Sequence, residues 1–261
     1  MLHTPRLTKP LVLVFLSCVV AACANTAGNN LPGREISTPR SDNALIHAQL
    51  ARGYLQQKQY AVAKTELEKA LRIDSSHSES NYVMALLLLD LQQYGDARNY
   101  FERSIRSNRF NSAAAHDYGV FLCQFGEERE SQKYFEIAVS NPLFERSELS
   151  YMRAGECLAR INDPNAEKFL KEALTVNPKL RPALFQLAQI NYDNGVYLSA
   201  RAYIERYFSI TKPQPAALLL AYQIELKNGS DEMASRYRTQ LLEDFPGASE
   251  SAKLRRVQRA D

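Results

Sequence analysis

The sequence predicts an all-α fold, a superhelix of about six helix-turn-helix units. Three observations carry that prediction. Small residues recur at Ala63, Ala97, Ser131, Ala166, Ala200 and Ala234, at intervals of 34, 34, 35, 34 and 34. Four residues after the first five stand Leu67, Phe101, Phe135, Leu170 and Ile204, and seven after the first four stand Ala70, Ser104, Ala138 and Ala173. Such spacing keeps one helical face. A short polar turn precedes each small residue, as in Gln92-Gln93-Tyr94, Phe125-Gly126-Glu127 and Asn194-Gly195, and upstream lies a further amphipathic stretch carrying Leu50, Met84, Tyr118, Leu187 and Ala221 in equivalent places. One helix pair cannot cover its own apolar face, so such units stack on copies of themselves.

Composition fits a folded chain. Of 261 residues 45% are hydrophobic and 23% charged, with only 10 Gly and 11 Pro, which excludes disorder, collagen and low complexity. The formal charge is +3, from 32 basic and 29 acidic side chains. Arg6 and Lys9 fall in a segment expected to be removed, leaving 30 against 29. A chain so close to neutral does not grip nucleic acid by counterion release, and no nucleic-acid partner is expected.

Residues 1–22 have the layout of a secretory signal peptide: a basic stretch, then an apolar run from Leu11 to Ala22. Twelve residues rise only about 18 Å as a helix, too short for a bilayer core of about 30 Å. The run ends in Val20-Ala21-Ala22-Cys23, which resembles the bacterial lipobox. That resemblance implies cleavage before Cys23, acylation of its thiol and new amino group, and a lasting anchor in the lipid bilayer, since each buried CH₂ adds roughly 0.8 kcal/mol. The alternatives are an ordinary signal-peptidase cut, or acylation at Cys18. Ala24 follows the cysteine; the absence of an aspartate there favours the outer membrane. Residues 24–43 are rich in Asn, Ser, Thr, Gly and Pro without apolar periodicity, so 23–43 reads as the lipidated cysteine and a flexible tether.

Residues 44–248 hold the six units and 249–261 a C-terminal tail. The 34-residue period with its small-residue register resembles the tetratricopeptide repeat, and implies a tetratricopeptide-repeat superhelix. Pro178 and Pro246 close units where a second helix must stop. There are departures. The chain has no Trp, the fourth unit is one residue short in its turn with Leu143-Phe144-Glu145-Arg146 inserted before it, and the sixth has Tyr222 where a small residue is usual, as in a cap.

No catalytic constellation is legible. His3, His47, His77 and His116 lack metal-ligand spacing, and no glycine-rich phosphate loop or Gly-x-Ser-x-Gly elbow occurs. Neither metal, cofactor nor enzymatic activity is expected. Cys123 and Cys157 lie 34 residues apart, at nearly equivalent points on the first helices of units three and four. In an oxidising compartment that spacing reads as a disulfide, the alternative being two buried free thiols.

The stretch Tyr118-Gly119-Val120-Phe121-Leu122-Cys123, the residues Phe135, Ala138 and Asn141-Pro142, the stretch Ala154-Gly155-Glu156-Cys157 and the ending Leu241-Leu242-Glu243-Asp244-Phe245-Pro246-Gly247 resemble the type IV pilus biogenesis and stability lipoprotein family, the pilotin of the outer-membrane secretin. The resemblance covers nearly the whole mature chain. It implies an outer-membrane-anchored adaptor facing the periplasm that binds the secretin, helps it reach the outer membrane and form its multimer, and so supports pili and twitching. Two other readings remain: a repeat lipoprotein of the outer-membrane barrel-assembly machinery, and a scaffold regulating a cell-wall enzyme.

In a superhelix of this kind the stacked first helices line the concave surface. The register places there Leu45, Arg52 and Leu55, then Tyr82, Leu86 and Leu89, then His116 and Val120, and from later units Tyr151, Leu158, Phe185, Gln189, Tyr192 and Leu219. An exposed strip of such side chains is a protein-binding surface. The bland alternative is that half of them pack between helices.

Overall fold

The computed structural model describes residues 39–257. Among them are thirteen α-helices and no strand. Twelve pair as six antiparallel hairpins: α1 (Pro39–Gln56) with α2 (Tyr60–Ile73), α3 (Ser78–Asp90) with α4 (Tyr94–Ser107), and α5 (Ser112–Gln124) with α6 (Glu128–Val139). They continue with α7 (Ser147–Ala159) and α8 (Asn165–Val176), α9 (Arg181–Asp193) and α10 (Tyr197–Ile210), and α11 (Pro215–Lys227) and α12 (Asp231–Asp244). The last helix is α13 (Ser249–Val257). This is the superhelical tetratricopeptide-repeat fold.

Each hairpin turns by the same device. In all six turns an amide donates back to a carbonyl five residues earlier: Gln59 to Tyr54, Gln93 to Leu88, Glu127 to Leu122, Asp163 to Leu158, Val196 to Asn191 and Ser230 to Glu225. The residue before each of those donors is left-handed: Lys58, Gln92, Gly126, Asn162, Gly195 and Gly229. This is a Schellman ending, which satisfies carbonyls that the helix leaves unpaired. Glycine takes such a φ at no steric cost, whereas Lys58 and Gln92 each carry a penalty of roughly 1–2 kcal/mol. The motif also supplies a ruler for the register. From Tyr54 the accepting residues follow at intervals of 34, 34, 36, 33 and 34, so the period breaks once.

The break has two parts. The α6–α7 connection, residues 140–146, has seven residues where residues 74–77, 108–111, 177–180 and 211–214 have four. The fourth turn is then one residue short. Ala166 donates to Asp163, three residues back, where Ala63, Ala97, Ser131, Ala200 and Ala234 each reach four residues back. Pro164, at φ −62°, precedes that tightened first turn.

The recurring small residues are the contact points. Ala63, Ala97, Ser131, Ala166, Ala200 and Ala234 are all buried, as are Leu67, Phe101, Phe135, Leu170 and Ile204 one turn further on. Burying each of those larger side chains contributes about 1.5–3 kcal/mol. Each hairpin's second helix also packs on the following first helix, so the core is continuous along the stack. First helices approach first helices, α1 with α3, α5 with α7, α7 with α9 and α9 with α11, while second helices make no comparable approach among the described residues. Shorter spacing on that side bends the stack with the first helices inside.

Two boundaries need correction. Among the described residues α1 already includes Pro39, so residues 39–43, assigned above to the tether, belong to that helix. The expected tail 249–261 instead contains α13. Leu254 packs with Leu218 and Leu241, and Ser251 donates to the Leu241 carbonyl (3.1 Å) and the Phe245 carbonyl (2.7 Å). This helix covers the apolar face that α11 and α12 would otherwise expose. The expected signal peptide, with Arg6, Lys9 and Cys18, the expected lipidation site Cys23 and residues 24–38 of the expected tether lie outside the described residues.

Candidate functional site

The inner face is built from one side of each first helix. Leu45, Arg52 and Leu55 on α1, Leu86 and Leu89 on α3, Val120 on α5, Tyr151 on α7, Phe185, Gln189 and Tyr192 on α9 and Leu219 on α11 are all half-buried. Most also touch the core: Leu55 and Leu89 the cluster around Leu67, Val120 and Tyr151 that around Phe135, Phe185 and Tyr192 that around Ile204, and Leu219 that around Leu218. Each therefore shows an edge rather than a whole side chain, and the surface is apolar but shallow.

Three of the expected residues sit differently. Leu158 is 0% exposed and belongs to the core with Phe135 and Phe169, so it does not line the groove. The reason is the break in period. Leu158 is the register equivalent of the fully buried Leu122, 36 residues earlier. The equivalents of His116 and Val120 on α7 are then Met152 and Glu156, and Glu156 pairs with Arg153 at 2.9 Å. Unit four thus contributes a charged pair where Leu158 had been expected. Tyr82 and His116 are 3% and 6% exposed; they form the floor of the face rather than its lining.

That floor carries a polar chain across units one to three. The Arg52 guanidinium pairs with Glu79 and lies 5.1 Å over the Tyr82 ring. The Tyr82 hydroxyl donates to Asp117. Burial, then the Asp117 charge, pushes the Tyr82 phenol far above its ordinary value, so it stays a donor. Burial works against the Arg52 charge, but Glu79 more than restores it. One unit on, His116 Nδ1 meets Ser150 Oγ at 2.7 Å, and its ring lies edge-on to Phe135 at 5.8 Å. Burial lowers the His116 pKa. Glu79, Asp117 and Ser150 escape a reading based on apolar pattern alone. A signal was present, because Tyr82–Asp117 and His116–Ser150 are separated by 35 and 34 residues, one repeat, which stacking sets side by side.

Cys123 and Cys157 are joined, with Cα atoms 5.9 Å apart. Their interval of 34 does not make them equivalent. Cys123 follows Leu122, whereas Cys157 precedes Leu158, an offset of two positions. Facing helices in register stand about 8–10 Å apart between axes, and the offset brings the two β-carbons together across α5 and α7. Ser131 Oγ lies 3.2 Å from Cys157 Sγ, and Arg160 donates to the Cys123 carbonyl at 3.2 Å. A small cavity of about 120 Å³ opens over the bridge, lined by Val120, Phe135, Arg153, Glu156 and Arg160. A larger one, about 350 Å³, lies between the short fourth turn and α9, among Asp163, Glu167, Gln186, Gln189 and Asp193.

Chemically this face can hold an extended or helical segment of another protein by apolar contact, with fixed polar groups setting its register. Among the described residues no three His, Cys, Asp or Glu side chains are grouped to hold a metal ion, and no helix is long and apolar enough to cross a membrane.

Comparison with known proteins accords with this architecture. The family model for anaphase-promoting complex, cyclosome, subunit 3 matches residues 33–104, the first two units. No curated protein matches the sequence. Among solved structures, PilF of Pseudomonas aeruginosa is similar with a TM-score of 0.67 and 22% identity, covering 84% of this chain and 99% of that one. PilW, described as a widely conserved type IV pilus biogenesis factor, is similar with a TM-score of 0.63 and 27% identity, again over 84% and 99%. YrrB, described as a tetratricopeptide-repeat protein with an unusual peptide-binding site, gives a TM-score of 0.63 at 15% identity, over 73% and 97%. The chain has the tetratricopeptide-repeat superhelical fold and is similar in structure to PilF and to the type IV pilus biogenesis factor PilW.

Proposed function

We propose that this protein is a lipid-anchored adaptor of type IV pilus biogenesis, held at the outer membrane through Cys23 and facing the periplasm, where it binds the secretin and assists its localisation and multimerisation. The observation that carries the reading is the likeness to PilW, which runs over 99% of that chain at 27% identity. The half-buried apolar edges of the first helices support it, since they offer a long contact surface. The sequence Val20-Ala21-Ala22-Cys23 supports the anchor.

In a deletion strain, secretin is expected at normal amounts as monomer but lost as outer-membrane multimer, with pili and twitching lost too. Leu86→Glu or Leu55→Glu should reproduce the defect while helical circular dichroism is retained. A carboxylate desolvated by the docking partner costs several kcal/mol unless paired. Cys23→Ala should release the folded protein from the membrane. Normal secretin multimer in the deletion strain removes the secretin role; Cys23→Ala protein still sedimenting wholly with outer membranes removes the lipid anchor.

A further inference from the structure

The stack has two edges of different chemistry. At one lie the hairpin turns, at the other the connections between hairpins, residues 74–77, 108–111, 140–146, 177–180 and 211–214. The longest connection is pinned at its middle. The Leu143 amide donates to Asn141 Oδ1 at 3.0 Å and the Phe144 amide to the Asn141 carbonyl at 3.1 Å, while the Phe144 ring packs inward, 6.2 Å from His116. This turn leaves Leu143 outside at 73% exposed, the most exposed large apolar side chain among the described residues. Cations flank it. Arg109, Lys179 and Lys212 stand in connections that hold no carboxylate, and Arg106 and Arg181 border them, all five exposed. Arg181 donates to Thr211 Oγ1 at 3.3 Å, so the last two connections lie side by side. Against these stand Asp74, which faces Arg40, Glu145, which Arg146 follows, and Glu148 at the start of α7.

A projecting apolar side chain among cations suits an anionic bilayer surface, where leucine dips between headgroups and lysine and arginine meet phosphates. Three further facts select that occupant. The chain joins the stack on this edge, because α1 starts here, with Arg40 Nε donating to the Ile73 carbonyl at the end of α2. A chain held at Cys23 therefore brings this edge to the membrane first. Residues 1–38 offer the edge no counter-charge, since they carry Arg6, Lys9 and Arg34 against Glu35 alone. The opposite edge is unsuited to an anionic surface: the turns of units two and five carry Asp90, Asp96 and Asp193, with no cation in residues 90–97 or 191–198.

We propose that the edge made by the connections between hairpins docks on the anionic phospholipid surface, with Leu143 among the headgroups and Arg109, Lys179 and Lys212 over phosphates. This rests on the membrane anchorage proposed above and adds an orientation to it. The helices run from edge to edge, so they stand upright on the bilayer. The stack then lies along the membrane, and its inner face opens sideways towards partners embedded in the same bilayer. One lipid anchor together with a basic patch holds a protein more firmly than either alone.

The chain has no Trp, so a single introduced indole reports only its own surroundings. The full-length protein, purified from membranes, is reconstituted on vesicles of phosphatidylethanolamine and phosphatidylglycerol. Sedimentation reads attachment, and quenching by brominated phospholipid reads contact with the bilayer. Leu143→Trp should shift its emission to the blue and be quenched. Leu198→Trp, at a position equally exposed (72%) but on the turn edge, should show neither effect. Arg109→Ala, Lys179→Ala and Lys212→Ala should each lower the ratio of docked to undocked protein roughly fivefold, with circular dichroism unchanged. High salt, or phosphatidylcholine in place of phosphatidylglycerol, should likewise release the tryptophan at position 143. Attached protein in which that tryptophan stays unquenched, or in which positions 143 and 198 are quenched alike, overturns the docking and leaves the anchor standing. Protein that does not sediment with vesicles overturns both. Quenching indifferent to salt, lipid charge and the three alanine changes overturns the docking. So does a tryptophan at 143 that is already blue-shifted before lipid is added, because another part of the protein then covers the edge.

Discussion

Gly155→Ala tests the packing logic at the point where the period breaks. In an open helical position alanine is better than glycine by about 1 kcal/mol. At Gly155 the added Cβ would lie 2.5 Å from Leu170 Cγ, 2.9 Å from its Cδ2 and 3.0 Å from the Ala166 carbonyl oxygen. Two of these cannot be relieved by turning a flexible end, because Cγ is the branch point of a fully buried leucine and the oxygen is backbone. Overpacking of this kind costs typically 1–3 kcal/mol, and the first contact is severe enough to place it at the upper end. The net expectation is a loss of about 1–2 kcal/mol, or roughly 2–8 °C in melting temperature for a domain of this size. Gly95→Ala, with nothing within 4 Å of its Cβ, is the control and should melt at or slightly above the wild type. Thermal unfolding followed by circular dichroism reads both. The pairing is tested by Leu170→Ala, which alone should cost about 2–5 kcal/mol. Combined with Gly155→Ala it should cost less than the sum, because each change makes room for the other. A Gly155→Ala protein as stable as wild type, or strict additivity in the double variant, would refute the close approach of α7 and α8.

The bridge between Cys123 and Cys157 closes a loop of 34 residues, worth about 4 kcal/mol on the chain-entropy account; reductant should lower the denaturation midpoint, and the Cys123→Ala/Cys157→Ala variant should be as labile without reductant and insensitive to it. His116 gives a pH dependence with a defined sign. Burial holds its folded-state pKa below the ordinary 6.5, Asp117 opposing and Arg146 and Arg153 reinforcing the shift. The unfolded chain therefore takes up the proton first, and stability present above pH 6.5 is lost as pH falls below it. Glu66, Asp74 and Glu250, whose pKa values are also lowered, act only below their ordinary 3.8–4.5. A fall in denaturation midpoint between pH 7.5 and 5.5 that His116→Gln abolishes is the expected result; an equal fall in that variant would assign it elsewhere.

What was legible in the sequence was whatever a period can express. Ala63 to Ala234 and their partners Leu67 to Ile204 recur because each occupies the same contact, and a repeated contact leaves a repeated residue. Where the period breaks, inference from it fails. Leu158 falls outside the groove because Leu122 and Leu158 differ by 36 rather than 34 positions; the insertion at Leu143–Arg146 is legible, but a count anchored on Ser131 and Ala166, whose own interval is only 35, does not show that it moves α7 by two positions. The interval of 34 makes Cys123 and Cys157 look nearly equivalent, whereas they are offset by two positions. The α13 helix leaves no repeated signal, because it packs on the sixth hairpin as a single helix rather than as another helix pair. Buried polar pairings were missed for another reason. Arg201 Nε donates to Glu225 at 2.7 Å, and Glu225 is 2% exposed, yet a single charged residue at a core position reads as a surface residue until its partner one unit away is seen.

The disulfide at the break in period also decides how the chain answers tension. A stack of hairpins pulled from its ends can open from either end inward, each unit lengthening the chain as it gives way. Between Cys123 and Cys157 the load crosses a covalent bond instead of the intervening backbone. Thirty-four residues that would extend by about 115 Å at full stretch are withheld from the line of force. The α6 helix and the long connection after it hang outside that line, so they bear no load while units on either side yield. Under a pull, the oxidised protein therefore behaves as two extensible arms on a short inextensible link, and reduction converts it into one continuous spring.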